Sequence, residues 1–112
     1  MANIYKNAFF AGTTTNTVTV YTAPSNARGI INNIQITSES GDKVVKASIT
    51  DNSASTTQQI AYASITGPTI CNLAKGPIIL EENDSILLET NNTTAVTGVL
   101  SILEISREDQ NG

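Results

Sequence analysis

The chain has no histidine and no tryptophan, and one cysteine, among its 112 residues. Each absence removes a class of function. Without His, Ser–His–Asp and Cys–His catalysis are excluded, and the commonest general acid–base and metal ligand is missing. The single Cys71 forms no intrachain disulfide, and in "TICNLA" it reads as a small hydrophobe. Charged residues make up 14%, well under the roughly 25% of an average domain. The six basic residues (Lys6, Arg28, Lys43, Lys46, Lys75, Arg107) are scattered, and the net charge is −4. No basic cluster exists to neutralise phosphates, so no nucleic-acid partner is expected. No apolar run approaches the ~18 residues that read as a membrane-crossing helix, so no membrane partner is expected. There is no Gly-rich phosphate loop. "MANIYKNAFFAG" holds one Lys and no apolar core of the length a signal peptide needs, so it does not read as a secretory signal. The chain is expected to stay in the cytoplasm where it is made, or to leave by lysis.

What is abundant is equally informative. Thr (16), Ser (10) and Asn (12) make up about a third of the chain. Thr suits a pleated, half-buried surface, while Asn and Ser suit turns. A hydrophobic content of 39%, rich in Ile and Val, is too high for a disordered chain. One domain's worth of sequence is present, long enough to bury a core without disulfides or metals.

Apolar residues recur with period two, the mark of a strand. "NTVTVYT" (16–22) sets Val18 and Val20 against Thr17, Thr19 and Tyr21. "IINNIQITS" (30–38) places Ile30, Ile34 and Ile36 on one face, with Asn32 as the exception. "KVVKASITD" (43–51) sends Val45, Ala47 and Ile49 inward and Val44, Lys46, Ser48 and Thr50 outward. "APSNARG" (23–29), "ESGD" (39–42) and "DNSASTT" (51–57) supply turn chemistry between them. From 58 to 77 we expect a strand around Ile60–Ile65, a turn at Gly67-Pro68 and a short strand around Thr69–Leu73. A short helix at 57–64 is the alternative. "TAVTGVLSILEIS" (94–106) is the longest strand and is apolar on both faces. Val99, Leu103 and Ile105 point one way, and Val96, Leu100 and Ile102 the other. Such a strand is covered on both sides, as a central strand or by a neighbouring subunit.

Strands spaced this evenly predict an all-β fold, a single antiparallel β-sandwich of jelly-roll or Ig-like type with about seven to eight strands. Residues 1–15 are expected to form an extended N-terminal arm, 16–106 the sandwich, and 107–112 a frayed polar tail. The arm carries Ile4, Tyr5 and the chain's only two Phe residues, Phe9 and Phe10. Neighbours on a strand point to opposite faces. Either one of the pair reaches a partner, or the strand is covered on both sides by its own domain.

"GPIILEENDSILLET" (76–90) concentrates acids: Glu81, Glu82, Asp84 and Glu89. Carboxylates are Ca²⁺ ligands, but "EENDS" lacks the EF-hand spacing. The expectation is a hairpin between strands Ile78–Leu80 and Ile86–Leu88, with Asn83 and Asp84 capping the turn. Sequons beginning at Asn83, Asn91 and Asn92 are expected by chance in a chain this rich in Asn and Thr. Tyr5, Tyr21 and Tyr62 are scattered, giving little of the stacking surface a sugar-binding module uses.

The order "VYTAPSNARGIINNIQITSESG", "VVKASITDNSAST", "GPIILEENDSILLET" and a closing "VTGVLSILEIS" resembles small β-sandwich virion structural proteins of tailed bacteriophages, especially marine ones. The likeness lies in turns and strand patterns over most of residues 1–106. It implies a non-enzymatic virion protein of the capsid decoration (cement) type, with neck, tail or fibre-attached roles as alternatives. It implies no cofactor and no metal. The implied partners are the major capsid protein or another virion protein, with a homo-oligomer, a trimer above all, as the working form. The implied location is the virion, assembled in the host cytoplasm. On this reading Ile4, Tyr5, Phe9 and Phe10 are the partner-binding residues. A host-surface glycan-binding module, using Tyr62, is the reading from a different class.

Overall fold

A computed structural model describes residues 3–12, 17–38, 43–66, 68–90 and 96–106. The turn expected at 39–42, the end of the arm at 13–16, the sequons at 91 and 92 and the tail at 107–112 lie outside the described residues. The strands are β1 (Asn3–Gly12), β2 (Val18–Thr22), β3 (Ala27–Ser38), β4 (Lys43–Asp51), β5 (Thr56–Ile65), β6 (Thr69–Asn72), β7 (Ile78–Leu80), β8 (Ser85–Thr90) and β9 (Val96–Ser106). The expected all-β sandwich is present. It has nine strands because the N-terminal stretch is itself a strand, docked along β9 from Asn3 to Gly12. Residues 56–65 are strand, not helix.

Sheet A runs β1-β9-β3-β6, with β7 also paired to β3, and sheet B runs β2-β8-β4-β5. The antiparallel ladders are nested. β1 pairs β9, β2 pairs β8, β3 pairs β6 and β7, and β4 pairs β5. The chain is thus one long hairpin that doubles back at Asn52–Ser55, with its two arms folded together across two sheets. The β3–β9 and β4–β8 ladders lock the wrap. This is jelly-roll topology, which decides between the two sandwich types the sequence left open.

The core lies between the sheets. Ile31, Ile34 and Ile36 of β3 face Val45 and Ala47 of β4, Ile86 and Leu88 of β8, and Val96, Leu100 and Ile102 of β9. Each large side chain buried here contributes roughly 1.5–3 kcal/mol. β9 behaves as its sequence predicts: it is central, with Val96, Leu100 and Ile102 inside and Val99, Leu103 and Ile105 half-buried outside. Gly98 keeps its place for a steric reason. A Cβ there would lie 2.7 Å from Ile36 Cδ1 and 3.2 Å from the Gln35 carbonyl oxygen.

Two β-bulges overturn expected facings. In β3 the register slips between Ile31 and Asn33, leaving Asn32 unpaired. Ile31, not Ile30, therefore joins Ile34 and Ile36 in the core, and Ile30 turns outward. In β2 the register slips at Val20, so Tyr21 pairs with buried Ile86 and points between the sheets. A bulge adds one residue to one strand and so inverts the facing of everything beyond it.

Candidate functional site

The four expected partner residues divide by strand parity. Phe10 is opposite Gly98 and is only 2% exposed. A Cβ at Gly98 would lie 3.7 Å from Phe10 Cβ, an ordinary packing distance. Phe10 is therefore a core residue, correcting its expected role as a partner anchor. Phe9 points the other way and is 76% exposed, and Tyr5 is 80% exposed on the same face. Ile4 pairs with Glu104 on the inward side and stays exposed, because β1 is the edge strand of sheet A.

Registry across sheet A assembles a surface that no single segment contains. Tyr5 lies opposite Leu103, Leu103 opposite Ile30, and Ile30 opposite Ile79 of β7. This gives an apolar row across four strands. Phe9 lies opposite Val99, and Thr37 opposite Ile70 at the far edge. Shallow hollows flank the aromatic rings, one of about 290 Å³ beside Tyr5, Lys6, Asn7 and Asn32, the other of about 220 Å³ beside Phe9, Gln35 and Val99. Among the described outward positions of sheet A, Arg28 is the one charged residue. It sits at the rim, near Glu81, Glu82 and Asp84.

A buried polar group pins β1 and β2 together. Glu104 of β9 is buried, and its Oε2 accepts the Tyr21 hydroxyl at 2.5 Å and Lys6 Nζ at 3.2 Å. Burial, then the hydrogen bond and the negative charge of Glu104, push the Tyr21 hydroxyl well above its ordinary pKa. The ring covers Gly29, where a Cβ would meet Tyr21 Cε2 at 2.9 Å. Sequence reasoning missed this cluster. Its members come from three strands, and the bulge at Val20 reversed the facing expected of Tyr21. A lone Glu at an inward position of β9 was the available signal.

The acidic stretch is a corner, not the expected hairpin. β7 belongs to sheet A and β8 to sheet B, so "EENDS" carries the chain across the sandwich. Asn83 is left-handed, with φ 69°, as its residue type allows. Asp84 is buried, and its two carboxylate oxygens accept backbone N–H groups of Asn52 at 3.0 Å and Glu81 at 3.1 Å. Ala23 N–H donates to the Asp84 carbonyl, and Asn83 N–H to the Ala23 carbonyl. One carboxylate therefore ties the β7–β8 corner to the β4–β5 turn, while the backbone ties it to the β2–β3 corner. Among the described residues, no three His, Cys, Asp or Glu side chains converge as a metal site.

On the opposite side, β5 and β6 leave the sandwich open. A hollow of about 340 Å³ lies between them, lined by Tyr62, Ala61, Cys71, Asn72 and Lys75 among others. Tyr62 is exposed beside it.

No protein-family model matches the chain, and no curated protein sequence does. Solved structures do. A chain of the infectious bursal disease virus Gx strain superposes with a TM-score of 0.54 at 11% identity, covering 93% of this chain and 33% of that one. A pentameric capsid protein isolated from metagenomic phage sequences is similar in two structures, with TM-scores of 0.45 and 0.46 at 17% and 18% identity. Both likenesses cover 91% of this chain, and 70% and 62% of the phage chains. The chain thus spans a third of the bursal disease virus chain and under two thirds of one phage chain. The comparison with the bursal disease virus chain shows a shared fold: an antiparallel β-sandwich.

Proposed function

We propose that the chain is a non-enzymatic phage virion structural protein, of the decoration type that binds an assembled head and stabilises it through many identical contacts. The observation that carries this reading is the outward presentation of Tyr5 and Phe9 on an edge strand, on a nearly uncharged face of a rigid sandwich. Such a surface is built for contact with protein. The sandwich shared with a chain of the bursal disease virus structure supports a virion role. The absence of His, and the commitment of both Asp84 oxygens to backbone donors, support a non-catalytic one.

The proposed partners are the major capsid protein or another virion protein, and further copies of this chain. A closed homo-oligomer makes later contacts intramolecular, so modest single affinities suffice. A trimer would match the local threefold positions of a capsid. The location is the virion, assembled in the host cytoplasm. Co-sedimentation of the purified protein with emptied heads and with detached tails tests the assignment. Binding to heads alone is expected. Binding to tails alone would move the protein to a neck, tail or fibre position, and binding to neither would overturn the virion role.

One observation favours a second reading. Tyr62 beside the β5–β6 hollow, with Asn72 and Lys75, offers a ring and polar groups to a host glycan. A glycan array without signal, or binding that survives Tyr62→Ala, would remove it.

A further inference from the structure

The two sides of the sandwich are closed differently. Beside β1 and β2, the Tyr21 ring and the Lys6–Glu104 pair occupy the gap between the sheets. On the other side β5 ends sheet B and β6 ends sheet A, and these two strands are not paired to each other. The hollow of about 340 Å³ between them is lined by four consecutive residues of β5, Ile60 to Ala63, and by Cys71, Asn72 and Leu73. Consecutive residues of a strand point to opposite faces, so one wall of the hollow is the edge of the β5 backbone. A second hollow, of about 370 Å³, shares Ile60, Leu73 and Lys75 with the first and continues it over Ile49 and Ile78.

The β5 edge lacks the usual guards. Unpaired N–H and C=O groups template a further strand, so edges ordinarily carry charge or proline, or stay short. The ten residues of β5, "TTQQIAYASI", hold neither charge nor proline. The other edges are guarded: β1 carries Lys6, β2 has five residues and a bulge, and β6 has four residues. The one bulge of β5 falls at Ile60, and beyond it Ala61 to Ile65 run in regular register along β4. Ala61 and Ala63 turn inward there, opposite Ala47 and Val45, and are only half-buried. Their small side chains leave room for larger ones from an added strand.

The chemistry of the occupant follows from this wall. A row of free backbone groups recognises an extended peptide, and the inward alternation selects apolar residues at every second position. Lys75 is the one charged residue on either hollow, so it complements an acidic residue of the segment. The same Lys75 disfavours a second copy. Pairing β5 with its equivalent about a twofold axis brings the mid-strand Ile60 near its own copy, and the Lys75 beside each would then meet like charge.

We propose that the β5 edge takes an extended, acidic segment of another protein, apolar at alternate positions, as the fifth strand of sheet B, closing the hollow above Ala61 and Ala63. That the donor is a virion protein rests on the reading above; the strand site itself does not.

The test titrates the isotope-labelled full chain with a synthetic peptide of alternating valine and threonine flanked by aspartates, followed by amide NMR. Shifts are expected at Ala61–Ile65 and Cys71–Leu73. The same peptide N-methylated along its backbone keeps its side chains but cannot donate hydrogen bonds, and is expected to give none. Ala63→Leu fills the hollow and is expected to abolish binding. Lys75→Glu, at an exposed side chain, is expected to weaken binding about tenfold and keeps the test open should Ala63→Leu not fold. No shift at millimolar peptide, equal binding of the N-methylated peptide, or an affinity unchanged by Lys75→Glu would each overturn the proposal. A glycan-array signal abolished by Ala63→Leu, without a peptide shift, would assign the hollow to a sugar and overturn it too. Failure to co-sediment with heads or tails would overturn the virion role, while peptide shifts at Ala61–Ile65 would leave the strand site standing.

Discussion

The outer faces of the two sheets are made by the same chain in the same topology, and they differ in chemistry. Sheet A turns out Tyr5, Phe9, Ile30, Ile79, Val99 and Leu103. Sheet B turns out Thr19, Thr22, Lys46, Ser48, Thr50, Thr57, Gln59, Ser64, Ser85 and Glu89, with Val44, Tyr62 and Leu87 set singly among them. Its hydroxyls pair across strands, Thr22 with Ser85 at 2.8 Å and Thr50 with Thr57 at 2.9 Å. Cross-strand hydroxyl pairs stabilise a sheet in water without inviting a partner. Both sheets need one apolar face to make the core. Only on sheet A does an unbroken apolar row, Tyr5–Leu103–Ile30–Ile79, cross the other face.

The largest effect expected on that contrast comes from the adjacent Phe pair. Phe10→Ala should cost about 3–5 kcal/mol in urea unfolding, as for other buried aromatic truncations. Phe9→Ala, measured at high dilution, should change stability by under ~0.5 kcal/mol. Equal losses would mean that the outer face is covered within one chain.

Next is the corner that holds sheet A to sheet B. Asp84→Ala orphans two backbone N–H groups, at about 1–3 kcal/mol each where they stay dry, so a loss of roughly 2–4 kcal/mol is expected. Glu81→Ala, on an exposed side chain of the same turn, should fall within ~0.5 kcal/mol. The two melting temperatures separate a structural carboxylate from an ornamental one. Added Ca²⁺ should leave the wild-type melting temperature unchanged, because Asp84 is already spent on backbone donors.

The Tyr21–Glu104–Lys6 cluster should respond to alkali. The folded pKa of Tyr21 lies above its ordinary value of about 10. The folded state thus holds the proton more tightly than the unfolded state. The resulting stability is full below about pH 10 and is lost as pH rises towards the folded pKa. Tyr21→Phe should lower stability by about 1–3 kcal/mol at neutral pH and flatten the alkaline limb. A variant with the wild-type slope would remove Tyr21 as its source.

The smallest effect is expected at the β4–β5 turn. Ser53 Oγ, at 2.8 Å, and the backbone N–H groups of Ala54 and Ser53 hold the Asp51 carboxyl below its ordinary pKa. Its contribution is therefore present above about pH 4 and fades as pH falls through the folded value. Asp51→Asn should blunt the acid limb slightly without touching the alkaline one.

Much of this was legible from residues. The inward set of β4 and both faces of β9 follow from alternation, and the turn at Asn83 follows from its tolerance of left-handed backbone. The errors share one cause. Ile30, Tyr21 and the "EENDS" connection were misread because a bulge or a change of sheet breaks a local rule without leaving a local mark. Asn32 was the visible exception in β3, and the bulge accounts for it. Phe9 and Phe10 were correctly seen as pointing apart. Only the register of β1 on β9, which sets Phe10 opposite Gly98, 88 residues away, determined which of them fills the core.

The sequence alone determined a β protein without His-based catalysis, its strands and turns set by period-two alternation and by Gly, Pro, Asn and Ser. These are properties of neighbouring residues, which steric limits on the backbone make readable. Tertiary structure decided which sheet each strand joins, that Glu104 meets Tyr21 and Lys6, and that Tyr5, Leu103, Ile30 and Ile79 form one row. Strand pairing brings together residues as far as 102 positions apart. Its register is chosen by the packing of the whole core, so no local pattern along the chain records it.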